Sequence, residues 1–373
     1  MRLTLYFFML LVVSSGCKSP VRKNNPVGSN RYAHGFKIEK TKNITQLTVY
    51  NPWEKAENVS VEYFLVDKNA VVPDSLAGKT VIKTPVERVI CLSTTHIGFL
   101  DVLDETAAVV GVSGKQYVSN SKIRARIENK EVPDVGYGQN LNYELMVSQK
   151  PDLVFVYGVG GDVTSYAQKL EELGVSVVYV AEYLEETPLG KAEWVKFFGA
   201  FFQKDEKAQQ FFEQVEDEYN TLKKVAGEAS ENPKVLVGSP YKDSWWIPGG
   251  KSYLANLIAD AGGDYLGKEN SSHESYVISF EHALTWGGEA DIWINMGNVT
   301  SKAEVLAIDQ RFENFSVFND GKLFNNVKRL GSHGGNDFWE SGTVHPHWIL
   351  HDLISIFHPG LVDTEMIYYE QLK

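Results

Sequence analysis

The clearest pattern of apolar and polar positions in this chain lies between Pro188 and Gly227. Thr187 before Pro188 predicts a helix N-cap, and Gly227 predicts a helix end. Between them, apolar residues recur three and four positions apart, which places them on one face of a helix. They are Trp194, Phe197, Phe198, Phe201, Phe202, Ala208, Phe211, Phe212, Val215, Tyr219, Leu222 and Val225.

A single helix over residues 188–227 would be about 60 Å long, roughly twice the width of a small domain. The polar segment 203–206 offers a break, with Asp205 as the N-cap of a second helix that runs to Ala226. We therefore expect two helices. The pattern alone fits either an ordinary pair of core helices or a helix that bridges two lobes.

Strand and helix patterns alternate on both sides of this helical segment. Short leading strands at 44–49, 63–66 and 80–83 are expected to cover a sheet edge. Next come predicted strands 88–92, 107–112, 152–157 and 175–180, with helices 96–103, 121–128, 142–148 and 163–173. After the helical segment we expect strands 234–238 and 291–295 and helices 252–261, 280–286 and 344–357. Such alternation predicts mostly parallel sheets in two α/β units.

The two halves resemble each other at one place. Glu144 on a short predicted helix precedes Asp152 and an apolar run that ends at a glycine. Glu281 on a short predicted helix likewise precedes Asp291, an apolar run and a glycine. Helix followed by strand is common in α/β proteins, but this repeat flanks the helical segment on both sides. It suggests a pseudo-symmetric protein with two lobes.

Length and composition agree with two lobes and disfavour a nucleic-acid partner. The 373 residues exceed the usual size of a single core, and 43% hydrophobic with 23% charged residues is typical of a globular protein. The net charge is -12. Loss of a leader containing Arg2 would make it -13, from 35 basic minus 48 acidic residues. An acidic surface repels phosphate backbones.

The first 17 residues predict a lipoprotein signal peptide. One early arginine precedes a short apolar run, and Ser14-Ser15-Gly16 leads directly to Cys17. We expect Cys17 to be lipidated and residues 18–31 to form a polar, partly basic tether. Cys91 would then be the one remaining cysteine, so no intrachain disulfide is expected.

Candidate ligand-binding residues lie in loops that follow the predicted strands, where open α/β sheets bind ligands. Aromatic side chains there suit a planar or ring-bearing ligand, and basic ones could bind ligand carboxylates. The candidates are Thr95, His96, Lys115, Tyr117, Tyr137, Tyr157, Lys242, Trp245, Trp246, Met296, Arg329, His333 and Trp339. Several of these aromatics could instead pack in the core.

From about residue 32 to its end the chain resembles the substrate-binding proteins of ABC importers for iron complexes and cobalamin, a class with a rigid helix between lobes. The resemblance rests on residues 88–93, Asn142-Tyr143-Glu144 before 150–154, the helical segment 193–222, residues 248–253 and residues 334–340. It implies two Rossmann-like α/β lobes joined by a long rigid bridging helix. The expected division is a leader at 1–17, a tether at 18–31, lobes at 32–187 and 228–373, and the helical segment at 188–227.

The resemblance also implies partners and a binding role without catalysis. A metal-complex ligand would sit between the lobes, and a permease dimer in the inner membrane would receive it. Glu144 and Glu281 match the glutamates with which each lobe contacts an arginine pocket of the permease. We expect a monomer, lipid-anchored and facing the periplasm, with small lobe movements on binding. The expected ligand is an iron chelate, haem or cobalamin, and no resident cofactor is expected.

Other readings of the sequence remain open. His345, His347 and His351 have spacing that could bind a bare metal ion such as zinc, as in a metal receptor or a metallohydrolase. The sequence lacks a His-Glu-x-x-His motif, and Trp348 and Leu350 suggest that this helix packs instead. It also lacks a Gly-x-Ser-x-Gly elbow, which disfavours a serine hydrolase.

Overall fold

The computed structural model describes residues 30–158, 163–241, 244–363 and 365–373. Its helices are α1 (Thr94–Val102), α2 (Ser121–Glu128), α3 (Tyr143–Ser148), α4 (Val163–Glu172), α5 (Pro188–Glu193), α6 (Val195–Phe201), α7 (Asp205–Ala226), α8 (Tyr253–Asp260), α9 (Phe280–Glu289), α10 (Lys302–Ile308), α11 (Ser316–Asn319), α12 (Asp337–Glu340) and α13 (Pro346–Phe357). Among the described residues no helix is long and apolar enough to cross a membrane.

The strands form four sheets. They are β1 (Phe36–Lys40), β2 (Thr45–Tyr50), β3 (Ser60–Asp67), β4 (Val81–Thr84), β5 (Val89–Cys91), β6 (Val109–Val112), β7 (Leu153–Val156), β8 (Val177–Tyr179), β9 (Lys234–Val237), β10 (Pro240–Tyr241), β11 (Ser244–Ile247), β12 (Asp264–Tyr265), β13 (Tyr276–Ile278), β14 (Ile292–Ile294), β15 (Leu323–Asn325) and β16 (Glu370–Gln371). One sheet has the order β6-β5-β7-β8 and is all parallel. A second has the order β12-β9-β14-β15-β16, antiparallel only at β16.

These two sheets are the centres of two α/β lobes, as predicted, and α7 is the long helix between them. At 22 residues α7 is about 33 Å long. One cluster of buried apolar residues runs from the first sheet through Phe198 and Phe212 to Val235 and Leu350 of the second lobe. Because this cluster extends without interruption from the first lobe through the helices into the second lobe, we expect the connection to be stiff.

The start and end of the helical segment follow the predicted caps, but its interior differs from the prediction. Thr187 caps α5 by accepting a hydrogen bond from the Gly190 N–H at 3.1 Å. The first predicted helix is interrupted at Trp194, so three helices occur instead of two. Gln203 takes a φ of 55°, which turns the chain and makes Lys204 the residue before α7. Asp205 is therefore the first helical residue and not the N-cap.

The repeat seen in the sequence extends to atomic detail. In the first lobe the Asp152 N–H donates to the Arg88 carbonyl, at 2.7 Å, and Asp152 Oδ2 accepts from the Arg88 N–H, at 2.9 Å. In the second lobe Asp291 makes the same two hydrogen bonds with Lys234, at 2.9 and 2.8 Å. Each aspartate thus fixes the start of a central strand against its parallel neighbour.

The leading strands form a separate four-stranded sheet, β1-β2-β3-β4, whose first strand the sequence patterns missed. This sheet packs beside the edge strand β8, where the Tyr63 hydroxyl accepts a hydrogen bond from the Tyr179 N–H at 2.9 Å. A side chain thus satisfies a donor that an edge strand would otherwise leave unpaired. The other sheet, β10-β11-β13, is an antiparallel extension of the second lobe.

Candidate functional site

A cavity of about 290 Å³ lies where the carboxyl ends of the two parallel sheets meet. Ser93 follows β5, Ser113 follows β6 and Tyr157 follows β7, while Asn298 follows β14 of the second lobe. The remaining described lining residues are Leu92, Thr94, Tyr117, Tyr137, Gly334, Asn336 and Trp339. Both lobes therefore contribute, as expected for a ligand held at the strand ends of α/β sheets.

Four of the predicted site residues line this cavity, and all four are aromatic: Tyr117, Tyr137, Tyr157 and Trp339. The rings of Tyr117 and Tyr137 have centroids 5.8 Å apart. Trp339 is 55% exposed, so its ring is accessible at the mouth. Burial, and the nearby Tyr137, raise the pKa of Tyr157 to about 12, so its phenol stays protonated at neutral pH. Such rings provide apolar faces with polar edges for a flat ligand.

Three predicted site residues are buried away from the cavity. Strand alternation turns Trp245 into the core of the second lobe, where its ring lies 5.9 Å from that of Trp293. Met296 belongs to the same core. His96 lies among the rings of Phe155, Tyr157 and Phe198, and burial lowers its pKa to about 3. The structure thus places these three side chains in the core and not on the wall of the cavity.

None of the other predicted residues that the structure describes lines this cavity. Thr95 Oγ1 lies 2.9 Å from the Oγ of the lining residue Ser93. Lys115 is exposed to solvent. Trp246 is 54% exposed on the outer face of β11, opposite Val277. Lys242 and Cys17 lie outside the described residues.

A chain segment from the second lobe, residues 329–341, reaches across to the first lobe and forms one wall of the cavity. Within it, Arg329 forms an ion pair with Asp337 at 2.9 Å. His333 Nδ1 lies 3.1 Å from the Gln116 carbonyl oxygen. Arg329 and His333 line a separate cavity of about 440 Å³ on the other side of this segment. Both predicted residues are thus close to the cleft but face away from its central cavity.

Glu340 connects this segment to the first lobe by two hydrogen bonds. Its carboxylate is 2% exposed and accepts hydrogen bonds from the N–H groups of Ser119, at 2.8 Å, and Asn120, at 2.6 Å. Gly98 permits the close approach, because a Cβ there would lie 2.5 Å from the Glu340 carbonyl oxygen. Burial, opposed by these two hydrogen bonds, raises the pKa of Glu340 to about 8.

The raised pKa of Glu340 predicts a specific pH dependence of stability. Because the folded protein binds this proton more tightly than the unfolded chain, stabilisation by protonated Glu340 is complete below about pH 4.5 and is lost as the pH rises through about 8. Relative to Glu340→Gln, the wild type should lose up to about 1.4 kcal/mol of unfolding free energy per pH unit within this window. Denaturant unfolding at several pH values measures the difference.

Glu172→Gln is the matched control for this measurement, because Glu172 is exposed on α4. The difference in unfolding free energy between Glu172→Gln and the wild type should stay nearly constant across the same pH range. If the difference in unfolding free energy between the wild type and Glu340→Gln did not change with pH, the raised pKa of Glu340 would be contradicted.

The histidines of the alternative metal site do not converge. His345 stacks on Trp348 with centroids 3.8 Å apart, and burial lowers its pKa to about 3. His347 Nε2 lies 3.3 Å from Glu218, and burial lowers the His347 pKa to about 4. The carboxylates of Asp352 and Asp363 raise the pKa of His351. Among the described residues, no three histidine, cysteine or acidic side chains are grouped so that they could hold a metal ion.

A larger groove, of about 850 Å³, lies beside α7 and α13 and includes His347 and His351. Its described lining residues all come from α7 and the second lobe, and many of its charged groups pair with one another or with the backbone. We therefore place the candidate site at the smaller cavity. The cavity is formed by the predicted loops after the strands, but Ser93, Ser113, Asn298 and Asn336 were not among the predicted lining residues, although Ser93 and Ser113 directly follow buried strands.

Two lipoproteins of Methanocaldococcus jannaschii, both uncharacterised, are similar to nearly the whole chain. One is 29% identical, with 94% of this chain and 91% of the relative aligned. The other is 30% identical, with 92% of this chain and 86% of the relative aligned.

Solved structures share the fold. A periplasmic haem-binding protein from Pseudomonas aeruginosa has a TM-score of 0.59 at 16% identity, covering 77% of this chain and 98% of its own. A protein of an Fe³⁺-hydroxamate transport system from Saccharomonospora viridis has a TM-score of 0.55 at 16% identity, with coverages of 74% and 94%. The vitamin B12 binding protein of Vibrio cholerae has a TM-score of 0.52 at 13% identity, with coverages of 73% and 97%.

The matched region of the family profile agrees with this fold. The profile described as periplasmic binding protein matches residues 89–319, from the first strand of the parallel sheet in the first lobe to α11 in the second. That range is more than half of the chain and includes both halves of the internal repeat. The family consists of solute-binding proteins of ABC transporters and not of enzymes. With two aligned lipoproteins and this match, the chain belongs to the periplasmic binding protein family, whose members are exported.

Proposed function

We propose that the protein is the lipid-anchored binding component of an ABC importer and captures a haem, a ferric chelate or a corrinoid in the cleft between its lobes. The observation that carries this proposal is the cavity itself, which combines both sheet edges with Tyr117, Tyr137, Tyr157 and Trp339. Proteins with the same fold bind haem or vitamin B12, or belong to a ferric hydroxamate transport system. All three ligand types are large and bear rings or chelating groups.

The proposal includes delivery to a dimeric permease by a monomeric binding protein. Glu144 and Glu281 are exposed, and each is the second residue of its helix, α3 or α9. The residues just before the two helices, Asn142 and Ser279, are their N-caps. Two carboxylates at equivalent positions on two lobes suit a symmetric partner with two basic pockets, where they would fix the register of docking.

Lipidation of Cys17 would hold the protein at the membrane, facing the periplasm. Two similar chains are lipoproteins, which supports this anchor. The described structure begins at Asn30, next to α5 and α7. The following residue, Arg31, forms an ion pair with Glu216 of α7 at 2.5 Å, and its N–H donates to Glu193 of α5.

Fluorescence quenching with haem, vitamin B12 and a ferric hydroxamate tests the proposal. Trp339 at the cavity mouth should report binding, and at least one complex should bind at micromolar concentration or below. Trp339→Phe should reduce the quenching amplitude while preserving the fold, whereas Trp246→Phe, on the outer face of β11, should leave the ligand-induced signal largely unchanged. If none of the three complexes bound and Zn²⁺ alone did, a receptor for a bare metal ion would replace the proposed function.

A further inference from the structure

A chain of hydroxyl groups connects the cavity to a buried carboxylate. Ser93, which lines the cavity, has its Oγ 2.9 Å from Thr95 Oγ1. Thr95 Oγ1 donates in turn to Glu182 Oε1 at 2.7 Å. Glu182 is 1% exposed and lies just after β8, so it does not itself reach the ligand. Through these two hydroxyl groups, the carboxylate can determine which hydrogen bonds Ser93 makes at the cavity wall.

The carboxylate fixes the direction of every hydrogen bond in the chain. A threonine hydroxyl has one proton, and that of Thr95 is donated to Glu182. Ser93 must therefore be the donor between the two hydroxyls. Ser93 Oγ also accepts a hydrogen bond from the Thr95 N–H at 3.3 Å. Its proton and one lone pair are thus used, and the lone pair that remains can only accept a hydrogen bond from a ligand.

The surroundings of Glu182 act on its pKa in both directions. Burial raises the pKa of Glu182 above its usual value, while the positive charge of Lys191 and the hydrogen bond from Thr95 oppose that rise. Within the described part of the chain, Glu182 Oε2 has no hydrogen-bond partner. The direction of the chain is set by the hydrogen bond that Thr95 Oγ1 donates to Glu182 Oε1.

We infer that Glu182 is a positioning residue that sets the ligand preference of the cleft. Through Thr95 it makes Ser93 a hydrogen-bond acceptor. The cavity therefore favours a ligand that presents an N–H or O–H donor there, such as a primary amide, over one that presents a carboxylate. A carboxylate would place a lone pair against a lone pair and lose its hydration without gaining a bond. The inference rests on the proposed function, because it concerns the ligand of the same cleft.

Matched ligand pairs test this inference. Vitamin B12 is compared with its derivatives in which one side-chain amide is a carboxylate, and haem with the derivative in which its propionates are primary amides. For each pair that the wild-type protein binds, the amide form should bind more tightly by about tenfold or more. Affinity is measured by titration of the complete protein, and thermal unfolding verifies that each variant is folded.

Glu182→Gln can reverse the direction of these hydrogen bonds while it keeps the volume of the side chain. A glutamine can turn its N–H group toward Thr95, and the hydroxyl protons can then point toward the cavity. The ratio of the two affinities should fall to within about threefold, and Ser93→Ala should lower it similarly. Glu216→Gln is the control, because Glu216 is a buried glutamate bonded to Tyr32 and Arg31, and it should leave the ratio unchanged.

The outcomes separate this inference from the proposed function. A wild type that binds one pair with equal affinity for amide and carboxylate would overturn the role of Glu182 while leaving the proposed function intact. So would a Glu182→Gln variant that weakens both forms equally, which is the behaviour of a merely structural residue. If the wild type bound none of the probes, the proposed function and the inference would both fail.

Discussion

Reversal of both Glu144 and Glu281 to arginine should reduce ligand uptake to about the level of cells that lack the protein, while ligand affinity stays within about twofold of the wild type. Both side chains are exposed and remain outside the cavity, so the cleft should be unaffected. Two like charges facing basic pockets would instead oppose docking at both lobes. Uptake of labelled ligand and fluorescence titration of the purified variant measure the two effects separately.

The control for this experiment tests whether the positions of the two glutamates matter, or only their charge. Glu172 on α4 and Glu289 at the end of α9 are also exposed helical glutamates, one in each lobe. Reversing that pair changes the net charge by the same amount and should leave uptake nearly intact. Equal losses for the two pairs would mean that overall charge, and not Glu144 and Glu281, determines docking. Normal uptake with Glu144 and Glu281 reversed would rule out the proposed docking residues.

Replacement of Glu193 by alanine should lower the free energy of unfolding by about 3–5 kcal/mol. This carboxylate at the end of α5 is completely buried and accepts hydrogen bonds from the N–H groups of Arg31, Tyr32 and Ala33 at 2.8 to 3.0 Å. It also accepts a hydrogen bond from Lys196 Nζ at 2.6 Å. Alanine would remove the acceptor from three backbone donors and the carboxylate from a buried ammonium group, which is costly in a low dielectric.

Denaturant unfolding of Glu193→Ala, Glu193→Gln and Glu206→Ala gives the comparison. Glutamine keeps one oxygen acceptor and should cost less than alanine. Glu206 is exposed in the first turn of α7, so its loss should cost no more than about 1 kcal/mol. If Glu193→Ala were as stable as Glu206→Ala, the buried carboxylate would not hold the N-terminal segment as the structure indicates.

The contacts of Glu193 also explain where the tether joins the folded protein. Glu185 repeats the arrangement by accepting from the N–H groups of His34 and Gly35. Two glutamates beside the helices between the lobes therefore fasten residues 31–35. A pull on the tether would act on this helical region, which is continuous with the common core, and not on one lobe alone. This arrangement favours the expectation of small lobe movements.

Local sequence patterns predicted the elements well because their causes are local. Thr187 and Gly227 lie at the two ends of the helical segment, as their residue types predicted. The helix predicted at 121–128 agrees with α2 (Ser121–Glu128) at both ends. The repeat around Asp152 and Asp291 was also visible, since each aspartate directly precedes a run of apolar residues. Caps, periodicity and strand composition operate over a few residues, and the sequence contains that information directly.

Which face of an element is buried depended on its neighbours. Alternation predicts that Trp245 and Trp246 point in opposite directions, but only the packing of β11 against Trp293 decides that Trp245 is the buried one. His96 likewise follows a strand in a candidate loop, yet α1 turns its side chain toward Phe155 and Phe198. Candidate residues proved to be buried where one face had to be chosen without knowledge of the partner element.

The sequence by itself therefore determined a chain of α/β elements divided by a helical segment, with an internal repeat and with aromatic loops after its strands. The tertiary structure decided which of those loops meet in one cavity, and it brought Ser93 and Asn298 together from separate lobes. It also decided the roles of Glu182, Glu193 and Glu340, which in the sequence resemble solvated glutamates. Burial and hydrogen bonding between distant residues depend on the packing of whole elements, and no local pattern of residues encodes them.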